Sequence, residues 1–252
     1  MPTGRSKPPK ARSSNDGTDR EVADLAQPCE VVRRPGEVVG FYSRVGGAFE
    51  TWGRLVDSRA RSRVQELCGV ADGDAVLEVG VGAGSQLVKS ASANPSGRVV
   101  GVDLADGMIH ESRRRLAAAG IENAEVLLAG ACDLPFVDDS FDVVYSIYVL
   151  DILPWDDIRR ALAQFDRVLR PGGRLVLCHV TPGERRRDRL GDHLYGSGLP
   201  LTGNCRGIRV TSLLDELRFE QITREYGSQF LLPSEIVCAR APVDQNDNRG
   251  QS

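Results

Sequence analysis

Three glycines at alternate positions, Gly80, Gly82 and Gly84, stand between an apolar run at Ala75–Val79 and a helix-forming run that opens at Ser85. Glycines placed after a strand and before a helix let the backbone turn tightly and approach a ligand at the helix N-terminus. The dinucleotide fingerprint Gly-x-Gly-x-x-Gly would need glycine at position 85, where this chain has Ser85. Glu78, two residues before the first glycine, would repel a pyrophosphate but attract an ammonium group, the more so when partly buried. Asp103 ends a second apolar run 19 residues after Gly84. A carboxylate there accepts both hydroxyls of a ribose and repels a 2′-phosphate. Leu104 and Met108 follow it and are placed to pack on the base of such a nucleoside.

Proton-transfer candidates are few. The histidines are His110, His179 and His193. His193 is the first candidate for a general base and His179, ending an apolar run, the second; His110 reads as a surface residue. Tyr148 and Asp151, near the end of the run that starts at Phe141, can also face an acceptor. The six cysteines are scattered and form no Cys-x-x-Cys pair, so no metal site is expected. Cys205 alone, without partner cysteines in a motif, is a weak candidate for binding a soft substrate.

Positioning these residues takes an alternation of strands and helices. A helix is expected over 51–68, then strands at Ala75–Val79, Arg98–Val102, Glu125–Ala129, Phe141–Val149 and Arg174–Val180. Helices lie between them at Ser85–Ser92, from Asp106 as a cap to about Ala119, and from Pro154 through a stripe of Ile158, Ala161, Leu162, Phe165, Val168 and Leu169. Pro171-Gly172-Gly173 reads as the stop of that last helix. A short helix at Ser212–Leu217 and two strands at Phe219–Tyr226 and Glu235–Ala241 complete the pattern. The expected fold is α/β: a doubly wound, mostly parallel seven-stranded sheet of Rossmann-like type with an antiparallel edge. Residues 1–28 and 243–252 read as disordered tails, polar and poor in large apolar side chains. The domain spans 38–242, with an N-terminal helical cap at 38–70 and an insertion at 181–210 that covers the acceptor.

The net charge of −3, with both signs interspersed, gives no basic face for nucleic acid. The sequence has no apolar run long enough to span a membrane and no secretory leader at its start. Scattered cysteines in such a chain read as reduced thiols in the cytoplasm. A small molecule is the expected partner, and monomer and homodimer stay open.

The chain resembles the class I S-adenosylmethionine-dependent methyltransferases, and within them the ubiquinone/menaquinone biosynthesis C-methyltransferase branch. Four stretches carry the likeness, in order and spacing: Glu78 to Gly84, Gly101-Val102-Asp103, Leu134 to Asp142, and Arg167 to Gly173. The resemblance implies S-adenosyl-L-methionine as cofactor. Gly80, Gly82 and Gly84 would line its methionine and ribose, and Asp103 would hold the ribose. Ala131 and Cys132 would meet the adenine through backbone amides, and Ser146 would lie near the methionine part. Tyr42 resembles a tyrosine that closes over the cofactor in this branch. Where the family commonly places an aspartate for the adenine amino group, this chain has Gly130, with Asp133 a shifted substitute. The implied activity is methyl transfer to a small molecule, a secondary metabolite or quinone-like compound. A non-methylating cyclase or binding protein on the same fold, and an NAD-dependent oxidoreductase, are the alternatives.

Overall fold

A computed structural model describes residues 58–189, 206–229 and 232–243. The first helix, α1, covers 58–68 of the described residues. Then follow β1 (Ala75–Val79), α2 (Ser85–Ala93), β2 (Arg98–Asp103), α3 (Asp106–Ala118), β3 (Ala124–Leu128) and β4 (Phe141–Ile147). A short 3-10 turn at Leu150–Ile152 leads to α4 (Trp155–Val168), β5 (Leu169–Val180), α5 (Thr211–Glu216), β6 (Glu220–Gln229) and β7 (Leu232–Arg240).

The seven strands form one sheet in the order β3-β2-β1-β4-β5-β7-β6. The first five are parallel, while β7 runs antiparallel to both β5 and β6. Strand β1 pairs with β2 on one side and β4 on the other, so the order reverses at the C-terminal end of β1. That end carries the glycine loop, and a switch point of this kind is where doubly wound sheets hold ligands.

Both faces of the sheet are covered, which is why β1 and β4 read as continuous apolar runs. On one face Val76, Val99, Tyr145, Val176 and Cys178 meet Val64 and Cys68 of α1, Leu87 and Ala91 of α2, and Ile109 and Leu116 of α3. On the other, Leu77, Val79, Val144, Leu175 and Leu177 meet Ile158, Leu162 and Phe165 of α4 and Leu213 and Leu214 of α5. The stripe expected on α4 is buried as far as Val168.

Several boundaries differ from expectation for local reasons. Pro171-Gly172-Gly173 does not separate helix from strand but lies within β5, which already begins at Leu169. Leu169 pairs with Phe141 and Arg174 with Val143, so the intervening residues bulge out of register. The bulge is tied to the chain after β7: Gly172 donates to the Ala241 carbonyl and Ala241 to that of Gly173. Strand β4 stops at Ile147 because Tyr148 takes a left-handed conformation, φ 57°. Asp106 opens α3 as its first residue, and Ala105 holds the cap position. Strands β6 and β7 extend toward each other, to Gln229 and from Leu232.

Candidate cofactor and acceptor site

The loop after β1 is built from contacts that glycine alone permits. Gly84 caps α2 with φ 78°, and a β-carbon there would stand 3.0 and 3.1 Å from Cβ and Cα of Ser112 on α3. Gly80 faces Val149, just beyond β4, and a β-carbon would collide with its Cγ2 methyl. Gly82 is different. It has φ 51°, and no atom of the described residues lies within 4 Å of where its β-carbon would be. Two glycines therefore serve the packing of the loop, and the middle one faces open space.

Asp103 is fixed beside that opening. Its carboxylate accepts from the Gly82 amide at 2.9 Å and from the Ala105 amide at 3.0 Å. Burial raises its pKa, although the amides of Ala105, Gly82 and Leu104 act in the other direction. Two accepted bonds leave capacity on both oxygens for further donors. A pair of ribose hydroxyls fits that capacity, and the bare side of Gly82 fits a close ligand. Leu104, half exposed, lies against Gly130, and Met108 is half-buried in the first turn of α3.

Glu78 faces the interior. Its carboxylate, 2% exposed, accepts from the Tyr145 hydroxyl at 3.0 Å and from the Leu87 amide in the first turn of α2. Tyr145 is bonded to Ser90 at 3.0 Å, and Ser90 donates to Gln65 of α1 at 3.2 Å. Burial pushes the Glu78 carboxyl up to about 8, against the pull of Tyr145 and Arg61. Glu78 thus ties α1, α2 and β4 to the root of the loop, and burial keeps its carboxyl largely protonated at neutral pH, against the anionic role expected for it beside an ammonium group.

The remaining cofactor candidates are spread around this centre. Ser146 is buried, and its hydroxyl donates to the Val79 carbonyl at 2.9 Å, so it joins β1 to β4. Ala131 is buried, and the Cys132 thiol donates to the Asp157 carbonyl at 3.3 Å. Asp133 is exposed, and its amide bonds back to Gly130. Tyr42, His193 and Cys205 lie outside the described residues.

On the acceptor side, Tyr148 shares a 2.9 Å hydrogen bond with Ser234 of β7. Asp151 is buried and accepts from the Val180 amide at 3.1 Å. His110 is exposed, as expected. His179 is fully buried, with Nε2 at 2.9 Å from Glu235 Oε1. Glu235 also accepts from Thr181 at 3.0 Å and from Arg224. Burial alone would raise the Glu235 carboxyl, but His179 and Arg224 more than offset this and hold it below the usual range. An ionised carboxylate only accepts, so Nε2 of His179 carries the proton. Its Nδ1 is buried and has no hydrogen-bond partner among the described residues. Glu235 and Tyr145 escaped the reading of the sequence. Each stands in register with its partner, Glu235 with His179 and Tyr145 with Glu78, which is visible only once strand neighbours are known.

No group of three or more His, Cys, Asp or Glu side chains gathers as a metal site among the described residues. None of their helices is long and apolar enough to cross a membrane.

Comparison with known proteins meets this geometry. Residues 76–173 match the family model described as a methyltransferase domain. The chain is 32% identical over 170 residues to a demethylmenaquinone methyltransferase of Clavibacter sepedonicus, covering 66% of this chain and 67% of that protein. It is 34% identical over 198 residues to the ubiquinone/menaquinone biosynthesis C-methyltransferase UbiE of Pseudomonas putida (strain GB-1), covering 77% and 72%. Among solved structures, that of the [4+2]-cyclase SpnF superposes with a TM-score of 0.59 at 19% identity, over 73% of this chain and 80% of that one. The last likeness shows the fold alone. Together with the glycine loop and Asp103, the relatives place the chain plainly: it belongs to the S-adenosylmethionine-dependent methyltransferases, in the family of the ubiquinone/menaquinone biosynthesis enzymes.

Proposed function

We propose that this methyltransferase acts on a small, quinone-like aromatic acceptor bound at the C-terminal ends of β4 and β5. The observation that carries the reading is the open side of Gly82 beside the Asp103 carboxylate at the switch point of the sheet. The acceptor class rests on the relatives named for demethylmenaquinone and ubiquinone/menaquinone biosynthesis. In this reading Asp103 holds the ribose hydroxyls, Gly82 allows close backbone approach, and Glu78 fixes the root of the loop through Tyr145 and the Leu87 amide. The bound cofactor supplies an electrophilic methyl group on a sulfonium, so the protein's work is orientation and exclusion of water.

A ring carbon becomes nucleophilic when a neighbouring hydroxyl loses its proton. We assign that proton to Nδ1 of His179, with Glu235 fixing the tautomer through Nε2. With the cofactor bound, the methyl group would go to that ring carbon while sulfur keeps the bonding pair; the ring would regain aromaticity by losing the proton the carbon carried to solvent, and His179 would return its proton to the hydroxyl oxygen. His179→Gln is expected to lower kcat by about 10²-fold or more with little change in KM. Glu235→Gln should lower kcat less and retain measurable turnover. Undiminished turnover in His179→Gln would remove His179 from the chemistry.

The cofactor arm has its own test. Asp103→Asn keeps the size of the side chain and is expected to weaken S-adenosylhomocysteine binding about tenfold, a charge-assisted pair being worth about 1.5–3 kcal/mol. Calorimetry measures this without any acceptor, and undiminished affinity would remove Asp103 from the ribose. For the reaction itself, the protein is incubated with methyl-labelled S-adenosylmethionine and a demethylmenaquinone analogue. Label on the ring carbon supports the proposal. Tight S-adenosylhomocysteine binding without transfer to this acceptor or related quinols overturns the acceptor class.

A further inference from the structure

The base end of the cofactor pocket has an unusual surface. Leu104 follows directly on Asp103, is 50% exposed, and is one of five large hydrophobic side chains exposed among the described residues. Its side chain lies against Gly130, whose absent β-carbon would sit 3.3 Å from Cδ2 and 3.6 Å from Cδ1 and Cγ. Gly130 is held in place from both sides in the chain. The Ala129 amide donates to the Asp103 carbonyl at 3.1 Å, and the Asp133 amide donates to the Gly130 carbonyl at 3.2 Å. Of the side chains beside it, Ala131 is buried, the Cys132 thiol is bonded to Asp157, and Asp133, whose amide turns back to Gly130, is exposed.

A nucleoside whose ribose sits on Asp103 must extend its base over the residues that flank it. Here these are an exposed leucine and a bare glycine. Exposed apolar surface gains from being covered, at roughly 25 cal/mol per Å². A flat base covers it, and backbone amides of the turn can donate to a ring nitrogen. At position 130 there is no side chain to accept from an exocyclic amino group.

We infer that this chain holds the adenine of its cofactor by apolar contact with Leu104 and by backbone amides, and that Gly130 leaves the 6-amino group unread and open to substitution. Gly130 is then a specificity-determining position, where the missing side chain sets what the pocket accepts. The inference rests on the cofactor assignment above and concerns only the edge of the base.

Binding of S-adenosylhomocysteine and of its N6-methyl and N6-benzyl derivatives, measured by calorimetry, separates the two. All three keep the ring nitrogen that a backbone amide would meet. The wild-type protein is expected to bind the N6-methyl compound within about threefold of the parent and to retain the N6-benzyl compound. Gly130→Asp should bind the parent at least as well and lose the N6-benzyl compound by about tenfold or more. Leu104→Ser should weaken all three together. A wild-type protein that binds the parent but rejects N6-methylation by tenfold or more overturns the inference and leaves the cofactor assignment standing. Failure to bind the parent overturns the cofactor assignment itself. Gly130→Ala, which adds a methyl group but no acceptor, checks the fold: it should keep the wild-type preference, and a preference like that of Gly130→Asp would tell against the side-chain reading.

Discussion

Gly84→Ala is expected to destabilise the protein by about 3 kcal/mol, while Gly82→Ala costs about 1 kcal/mol and yet loses the cofactor. Both glycines have positive φ, so an alanine at either is strained by the backbone alone. The difference lies in what the new methyl group meets. At 84 it stands against Cα and Cβ of Ser112, and relief requires moving α3 away from α2. At 82 it meets nothing among the described residues and projects into the open side of the loop, where the proposal puts the cofactor. In a chain of this size about 3 kcal/mol lowers Tm by roughly 6–12 °C. Thermal unfolding and calorimetric titration with S-adenosylhomocysteine, run on both variants, read the two effects separately. A Gly82→Ala variant that binds normally would show that the open face of the loop is not the cofactor side.

The second large effect is a dependence on pH. Glu78 has an ordinary value of 4.5 and is raised to about 8 by burial. The folded state therefore binds this proton more tightly than the unfolded chain does. Its contribution is fully present below the unfolded value and is lost as the pH rises through about 8. The total change across that window is about 4–5 kcal/mol. The groups around the carboxyl are Tyr145, Arg61, Asp103 and the Leu87 amide; the attraction of Arg61 and the hydrogen bonds fall short of the cost of desolvation. Glu78→Gln retains hydrogen-bonding capacity and removes the charge. Its Tm should decline less steeply than that of the wild type between pH 5 and 9, with the variant gaining most at the alkaline end. Parallel curves would mean that Glu78 stays ionised throughout, held so by its neighbours.

The contrast between these predictions follows what was legible in the residues. The glycine spacing, Glu78 and Asp103 located the loop, because strand-to-helix turns and ribose contacts depend on residue types close in sequence. The α4 stripe from Ile158 to Val168 was legible for the same reason, a single period on one helix. Tyr145 was not, since it meets Glu78 across 67 residues and only when β4 lies beside β1. Glu235 is likewise 56 residues from His179. Ser146, placed by the resemblance near the methionine part, also donates to the buried Val79 carbonyl, a bond between neighbouring strands that the sequence does not show. The end of β4 was placed too late because Tyr148 is a bulky residue in a left-handed turn, a conformation sequence composition assigns to glycine or asparagine. Pro171-Gly172-Gly173 was misread for a related reason. A segment rich in turn-forming residues also fits a bulge whose edges are held by a strand contributed from about 70 residues downstream.

The position of β7 constrains how the protein can be made. It comes after β6 in the chain yet lies between β5 and β6 in the sheet, and among the described residues it is the one strand with which β6 pairs. Until residues 232–240 join the sheet, the edge of β5 that β7 covers and the strand β6 would present unpaired backbone groups, the kind of open edge that pairs with another chain. Glu235 travels on that strand, so the buried carboxylate bonded to His179 Nε2 arrives only with the closing step.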